Sequence, residues 1–375
     1  MKLIEIRGYH VVCELPEPLG NSVASFTFRE SLVVELIGDS GLSGWGETQF
    51  VDLAWPHLST ALAPLLIGRD PLDSDSLWQA MLAAGDTQAA LLAISAVDMA
   101  LWDLKGRAAG QSIAALLGGA RRDRIRAYAS GPFMKPGGDP YRDFARDADR
   151  YAAMGFTALK TRSGAGPERD AEMALGLRRQ LGEAFEIALD FNRGYSIAQT
   201  VDVAARLAPA RPLWIEEPLA PSDFAGYAEL QSMITAPIAA GEAFWGLDQF
   251  EQLFATNALA LVQPDLFMCG GITGARRIAA VAEQAGVPFV PHVWGTAINF
   301  YASLQWAAVL AGGTLNGVDL PLFEYEQCDN ALINVAGTPQ LDCDGTLAVP
   351  DGPGIGVEIN RESFAPYIRA SWRLT

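Results

Sequence analysis

Histidine is scarce in this chain. His10, His57 and His292 are the only three among 375 residues, which leaves few candidates for a general base and little for a histidine-built metal site. Cysteine is almost as rare: Cys13, Cys269, Cys328 and Cys343 form no CxxC pair, which excludes a zinc cluster and points to free thiols in a reducing cytosol. Positive charge is in deficit, with 27 Lys and Arg against 44 Asp and Glu and a net charge of −17. That balance argues against nucleic acid and anionic membrane surfaces as partners. Long apolar runs are also missing. The N-terminal MKLIEIRGYHVVCELPEP lacks the continuous apolar stretch of a signal peptide, so a cytoplasmic location is expected. The best membrane candidate, 89–104, is interrupted by Ser95, Asp98 and Asp103, is too short to span a bilayer, and reads as a buried helix. The glycine pair in GGITGA (270–275) fits neither dinucleotide-binding nor phosphate-loop spacing and reads as a tight turn into a helix.

What is present is apolar bulk and rhythm. Half of the residues are hydrophobic, enough for a large core and for more than one domain. Residues 1–122 read as an α+β unit: SLVVELIG, the turn DSGLSG and WGET suggest a hairpin, and helical patterns follow up to ALLGG at 115–119. From residue 124 short β-branched or apolar runs alternate with amphipathic helices. The runs are RIRAYAS, FTALKTR, EIALDFN, PLWIEEP, PIAAGEA, LALVQPD, PFVPHVW and DLPLFEY. Eight strand–helix repeats predict a closed (β/α) barrel, a modified TIM barrel, over 123–326. The turn-rich, strand-like segment 344–360 breaks the rhythm. Residues 327–375 are therefore expected to leave the barrel and return to the N-terminal cap.

In such barrels chemistry sits at the C-terminal ends of the strands. Here those ends carry Lys160 and Arg162, Asp190 and Asn192, Glu216, Glu242, Asp265, His292 and Glu324 in order. Asp190, Glu216 and Glu242 are evenly spaced, 26 residues apart. Any one of these acids alone reads as a solvated loop residue or helix cap. Three converging acids would repel strongly unless neutralised, and a hard divalent cation with all-oxygen ligands, Mg²⁺, resolves that repulsion. Such an ion stabilises the charge that develops when a carboxylate loses its α-proton. His292 is the one histidine at a barrel strand end, and Asp265 on the preceding run can orient it. Glu217 neighbours Glu216 and is expected to point the other way. Arg29 is a candidate clamp for a second substrate carboxylate or a surface charge. Trp245, Trp294 and Tyr195 are candidates to line the pocket or pack its rim.

The ordered set LKTR, LDFN, WIEEP, AAGEAFWG, VQPDLFMCGGIT, PHVWGT and LFEYE, together with SAVDMALWDLKG and PDGPGIGVEIN, resembles the mandelate racemase and muconate lactonizing branch of the enolase superfamily. Within it the set is most similar to acid-sugar enzymes, galactarolactone cycloisomerases and acid-sugar dehydratases. The resemblance implies that Asp190, Glu216 and Glu242 ligate Mg²⁺ and that Asp265 and His292 form a His–Asp dyad. It also implies that Glu324 hydrogen-bonds the substrate carboxylate and that cap loops around 16–29 and 46–56 set specificity. Asn192, Arg29 and Trp294 are the substrate-binding candidates, and a homo-oligomer is expected.

One position departs from the family. The usual strand-two motif is Lys-x-Lys, its second lysine a base; here Arg162 stands there, and a guanidinium stays protonated. A racemase needs a base on each face of the α-carbon, whereas an elimination needs one. The weight therefore falls on a Mg²⁺-dependent lyase acting on a sugar acid, with Lys160 and Arg162 neutralising the enediolate. A lactone cycloisomerase or epimerase is the alternative. A catalytically silent metal-binding sensor is the reading from another class.

Overall fold

A computed structural model describes residues 1–375. The chain opens with strands β1 (Leu3–Gly20), β2 (Ser25–Gly38) and β3 (Ser43–Thr48), an antiparallel meander. Strands β4 (Arg124–Ser130), β5 (Ala158–Arg162), β6 (Glu186–Asp190), β7 (Ile215–Glu216), β8 (Ile238–Ala240) and β9 (Leu259–Val262) follow, separated by helices. Then come the hairpin β10 (Gly313–Leu315) and β11 (Val318–Leu320), β12 (Phe323–Glu326), β13 (Thr346–Ala348) and β14 (Ile368–Leu374). Strands β12-β4-β5-β6-β7-β8-β9 form one curled parallel sheet, and β14 joins the first sheet alongside β1.

The predicted barrel is present, but its seventh run is not a strand. PFVPHVW is held only by the bridges Val262–Phe289 and Asp265–His292. Pro288 and Pro291 have no N–H to donate, so a regular ladder cannot form there. In the eighth run, Val318–Leu320 pairs back on Gly313–Leu315 and the barrel strand begins only at Phe323. The segment 344–360 was expected to leave the barrel entirely. Instead β13 pairs antiparallel with β4, and the residues beyond it reach the cap, where Ile113 N–H donates to Gly354 O.

The long helix Gln88–Ala109 is the seam between the two sheets. Gly44 and Gly46 on β3 let it approach, since a Cβ on Gly46 would lie 1.9 Å from Ala96 O. The polar residues that interrupt its apolar sequence are buried and used. Ser95 Oγ accepts from Gly270 N–H, Asp98 accepts from Thr273 N–H and Oγ1–H, and Asp103 accepts from Trp45 and Ile355 N–H. Each buried acceptor thus has a donor on a different part of the chain, as burial of polar groups requires.

Candidate active site

Strand alternation builds the site from an apolar floor. Ala158, Ala188, Trp214, Val290 and Leu322 pack together inside the barrel. Two residues further along each run, and so on the same face, stand Lys160, Asp190, Glu216, His292 and Glu324. All five are at most 5 % exposed. The charged layer therefore sits directly on a dry one.

Asp190, Glu216 and Glu242 each place a carboxylate oxygen within 4.8 Å of the other two. Lys160 Nζ lies 2.5 Å from Glu216 Oε1 and 2.9 Å from Glu324 Oε1, and Arg162 pairs with Asp190. Trp214 Nε1–H and Gln263 Nε2–H donate to Glu216 Oε2 at 2.9 and 2.8 Å. Asn192 donates to Asp190 from its backbone and its side chain, at 2.8 and 3.0 Å. Glu242 Oε2 lies 2.9 Å from His292 Nε2 but has no aligned hydrogen-bond donor, and Asn192 Oδ1 is buried without one. Hard oxygen donors around one point, some of them unsatisfied, fit a divalent cation such as Mg²⁺ held by Asp190, Glu216 and Glu242.

His292 Nδ1 faces Asp265 Oδ2 at 2.7 Å. Asp265 is fixed in turn by Phe267 N–H, Trp294 N–H and the Asn299 side-chain amide. The other ring nitrogen, Nε2, looks into the site. Burial disfavours charge on this imidazole, but Glu242, Glu324 and Asp265 outweigh it and raise its proton affinity well above the usual histidine range. Burial likewise works against charge on Lys160, but Glu216 and Glu324 hold its ammonium proton more firmly than normal. Burial raises the Glu216 carboxyl to about 7 despite Lys160.

The substrate-binding candidates divide. Trp294 and Asn192 line a cavity of about 320 Å³ together with Arg162, Glu242 and His292. Tyr195 does not line it; its hydroxyl donates to Asp170 Oδ2 at 2.6 Å, bracing the loop after β5. Arg29 is not a free clamp. Its guanidinium stacks 3.2 Å from the Trp294 ring centroid and donates to Glu326 Oε2 at 3.1 Å. The cap strand β2 carries it into the barrel mouth, where a carboxylate of the chain already occupies it.

The expected outward orientation of Glu217 rests on strand alternation that stops there. Strand β7 is two residues long, and Glu217 has φ 42. Its carboxylate is buried, 3.5 Å from Arg193 Nε, with the charge of Glu242 pushing its proton affinity up further after burial. Sequence reasoning also passed over Ser130, whose hydroxyl donates to Glu324 Oε1 at 2.5 Å, and Gln263. Both lie two residues beyond a floor or core position, Tyr128 and Leu261, so the same alternation could have found them. Glu47 of the cap is a different case. It accepts from Thr296 N–H at 2.8 Å and from the Thr296 hydroxyl, pinning the loop that carries His292. It is fully buried, which raises its carboxyl to about 8, and no local sequence signal links positions 249 residues apart.

Residues 143–363 match the family described as "Enolase C-terminal domain-like", and residues 4–118 match "Mandelate racemase / muconate lactonizing enzyme, N-terminal domain". The chain is 33 % identical over 376 residues to a D-galactarolactone cycloisomerase of Agrobacterium fabrum, covering 98 % of this chain and 99 % of that one. It is 30 % identical over 346 residues to a D-galactonate dehydratase of Xanthomonas campestris, covering 88 % and 89 % respectively. A racemase from Streptomyces coelicolor, solved with bound magnesium, superposes with a TM-score of 0.86 at 27 % identity, covering 98 % of this chain and 99 % of that one. A cap-plus-barrel architecture with these acids at the strand ends and both family matches agree: the chain belongs to the mandelate racemase/muconate lactonizing branch of the enolase superfamily, a family of enzymes.

Proposed function

We propose that this protein is a Mg²⁺-dependent lyase that removes the α-proton of a sugar acid with His292 and expels the β-hydroxyl. The carrying observation is the His292–Asp265 pair. Arg162 is a guanidinium and stays protonated, and Lys160 is enclosed between Glu216 and Glu324 and does not line the cavity. His292 alone presents a ring nitrogen to the cavity while its other nitrogen is fixed.

In this reading Asp190, Glu216 and Glu242 hold the ion, which when bound supplies Lewis-acid stabilisation of negative charge on the substrate carboxylate. The residues of the chain do the rest. Asp265 orients the imidazole, as Asn299 and two backbone N–H groups orient Asp265. Lys160 and Arg162 lie where the enediolate charge develops and stabilise it more than the ground state. Glu324, bonded by Ser130 and Val293 N–H, faces the same space and orients the carboxylate. The β-hydroxyl leaves as water when His292 returns the proton it took. Residues 1–122 and, apart from β13, 327–375 form the cap in this scheme, and 123–326 the catalytic barrel.

A second reading is lactone ring opening, in which a ring carboxylate rather than hydroxide leaves. It is favoured by the end-to-end match to the galactarolactone enzyme, which covers 98 % of this chain. One experiment separates the two readings. The protein is incubated with Mg²⁺ and a panel of sugar acids and lactones in D₂O, and the α-proton is followed by NMR. A 2-keto dehydration product is expected. A ring-opened product would transfer the assignment to the cycloisomerase, exchange with inversion would restore the epimerase, and no exchange on any acid would sink α-proton chemistry altogether.

A further inference from the structure

Three basic side chains line the cavity: Arg162, His292 and Arg193. The first two are held by carboxylates at close range. Arg193 is held more loosely. Its ion-pair partner is Glu217 Oε2, 3.5 Å from Nε, and its guanidinium donates no hydrogen bond within the protein. The side chain is 37 % exposed.

Its placement is forced. Asn192 and Arg193 both have left-handed backbone, with φ 42 and 66. Neither is glycine, and two such residues in succession persist only where the surroundings over-determine them. The surroundings do so here. Arg193 N–H donates to Glu217 O at 2.7 Å. Ser22 of the cap donates to Phe191 O at 2.6 Å, and a Cβ on Gly194 would lie 2.7 Å from that serine. The loop after β6 is thus clamped between cap and barrel, and the clamp sets Arg193, tied only by its loose ion pair to Glu217, in the cavity wall. A guanidinium is a bidentate receptor for carboxylate.

We propose that Arg193 binds the distal carboxylate of the substrate, so that the substrates are sugar diacids or their lactones rather than monoacids. This rests on the α-proton reading above, which fixes the other carboxylate near Asp190, Glu216 and Glu242. Arg193 is a specificity residue in this scheme: it acts on the far end of the molecule and takes no part in proton transfer.

The test does not need turnover. Binding of adipate and of hexanoate, which share chain length and differ by one carboxylate, is measured calorimetrically on the Mg²⁺-loaded protein, wild type and Arg193→Gln. Wild type is expected to hold adipate roughly 10–100-fold more tightly, the worth of a hydrogen bond between charged groups. Arg193→Gln is expected to hold the two alike, with hexanoate unchanged, and Arg193→Lys to recover part of the preference. Equal affinity of wild type for both, or a substitution that weakens both equally, overturns the proposal. Failure of α-proton exchange in D₂O would instead strike the reading on which it rests, so the two outcomes are distinct.

Discussion

His292→Ala is expected to abolish α-proton exchange in D₂O while Mg²⁺ still binds. The general base of such a reaction is worth roughly 10²–10⁴-fold in rate. Nothing stands ready to replace it. Lys160 is enclosed between Glu216 and Glu324, Arg162 is tied to Asp190, and the pocket contains no second histidine. The metal-binding arm matters as much as the kinetic one. His292 touches Glu242 but is not among the three acids that converge, so calorimetric Mg²⁺ affinity should stay close to wild type. Asp265→Asn probes the same unit from behind. It keeps the shape and one acceptor oxygen, the one that Phe267 N–H and Asn299 address, but turns the oxygen shared by His292 and Trp294 N–H into an NH2 donor and removes the charge that fixes the ring, and the turnover number should fall with little change in KM. Exchange at the wild-type rate in His292→Ala would remove the base from this scheme.

Glu216→Gln is expected to weaken Mg²⁺ binding by more than the roughly 10–100-fold that loss of a mere outer partner of a metal ligand costs. Glu216 is placed by Trp214 and Gln263 on one oxygen and by Lys160 on the other, so the amide keeps an acceptor for Trp214 and Gln263 but sets its NH2 against the Lys160 ammonium and carries no charge. Removing that charge also leaves Lys160 with Glu324 as its remaining partner in a fully buried site, and buried cations tolerate the loss of a counter-ion poorly. Two readouts are therefore expected to move together: Mg²⁺ affinity, and the melting temperature measured with chelator present. Unchanged affinity would show that the three acids do not act as one site.

Much of this site is legible in the primary structure because barrels reward simple periodicities. Equal spacing of Asp190, Glu216 and Glu242 reports one strand–helix repeat, and a two-residue step along each strand reports a shared face. Those two rules bring the acids, Lys160 and His292 together without any tertiary information. They fail where backbone regularity fails. Glu217 escapes the alternation because its left-handed φ ends the strand. The prolines of PFVPHVW preserve the position of His292 but not the ladder around it. Arg29 illustrates another limit: its partner Glu326 lies 297 residues away, and the pairing belongs to the docking of cap on barrel. Glu47 and Thr296 are hidden for the same reason. Uncharged partners such as Ser130 and Gln263 carry no charge to mark them in the sequence, although their two-residue spacing is as informative.

The charged layer on its apolar floor has a consequence for how this scaffold could be hardened. Replacing a whole set of buried ions by well-packed hydrocarbon of similar volume is often neutral or stabilising, whereas removing one member alone is costly. A search for heat-resistant variants that ignored turnover would therefore drift toward a greasy, inert barrel, through intermediates worse than either end. Selection for durability and selection for chemistry pull this interior in opposite directions, and an engineer would do better to spend substitutions on the helices outside it.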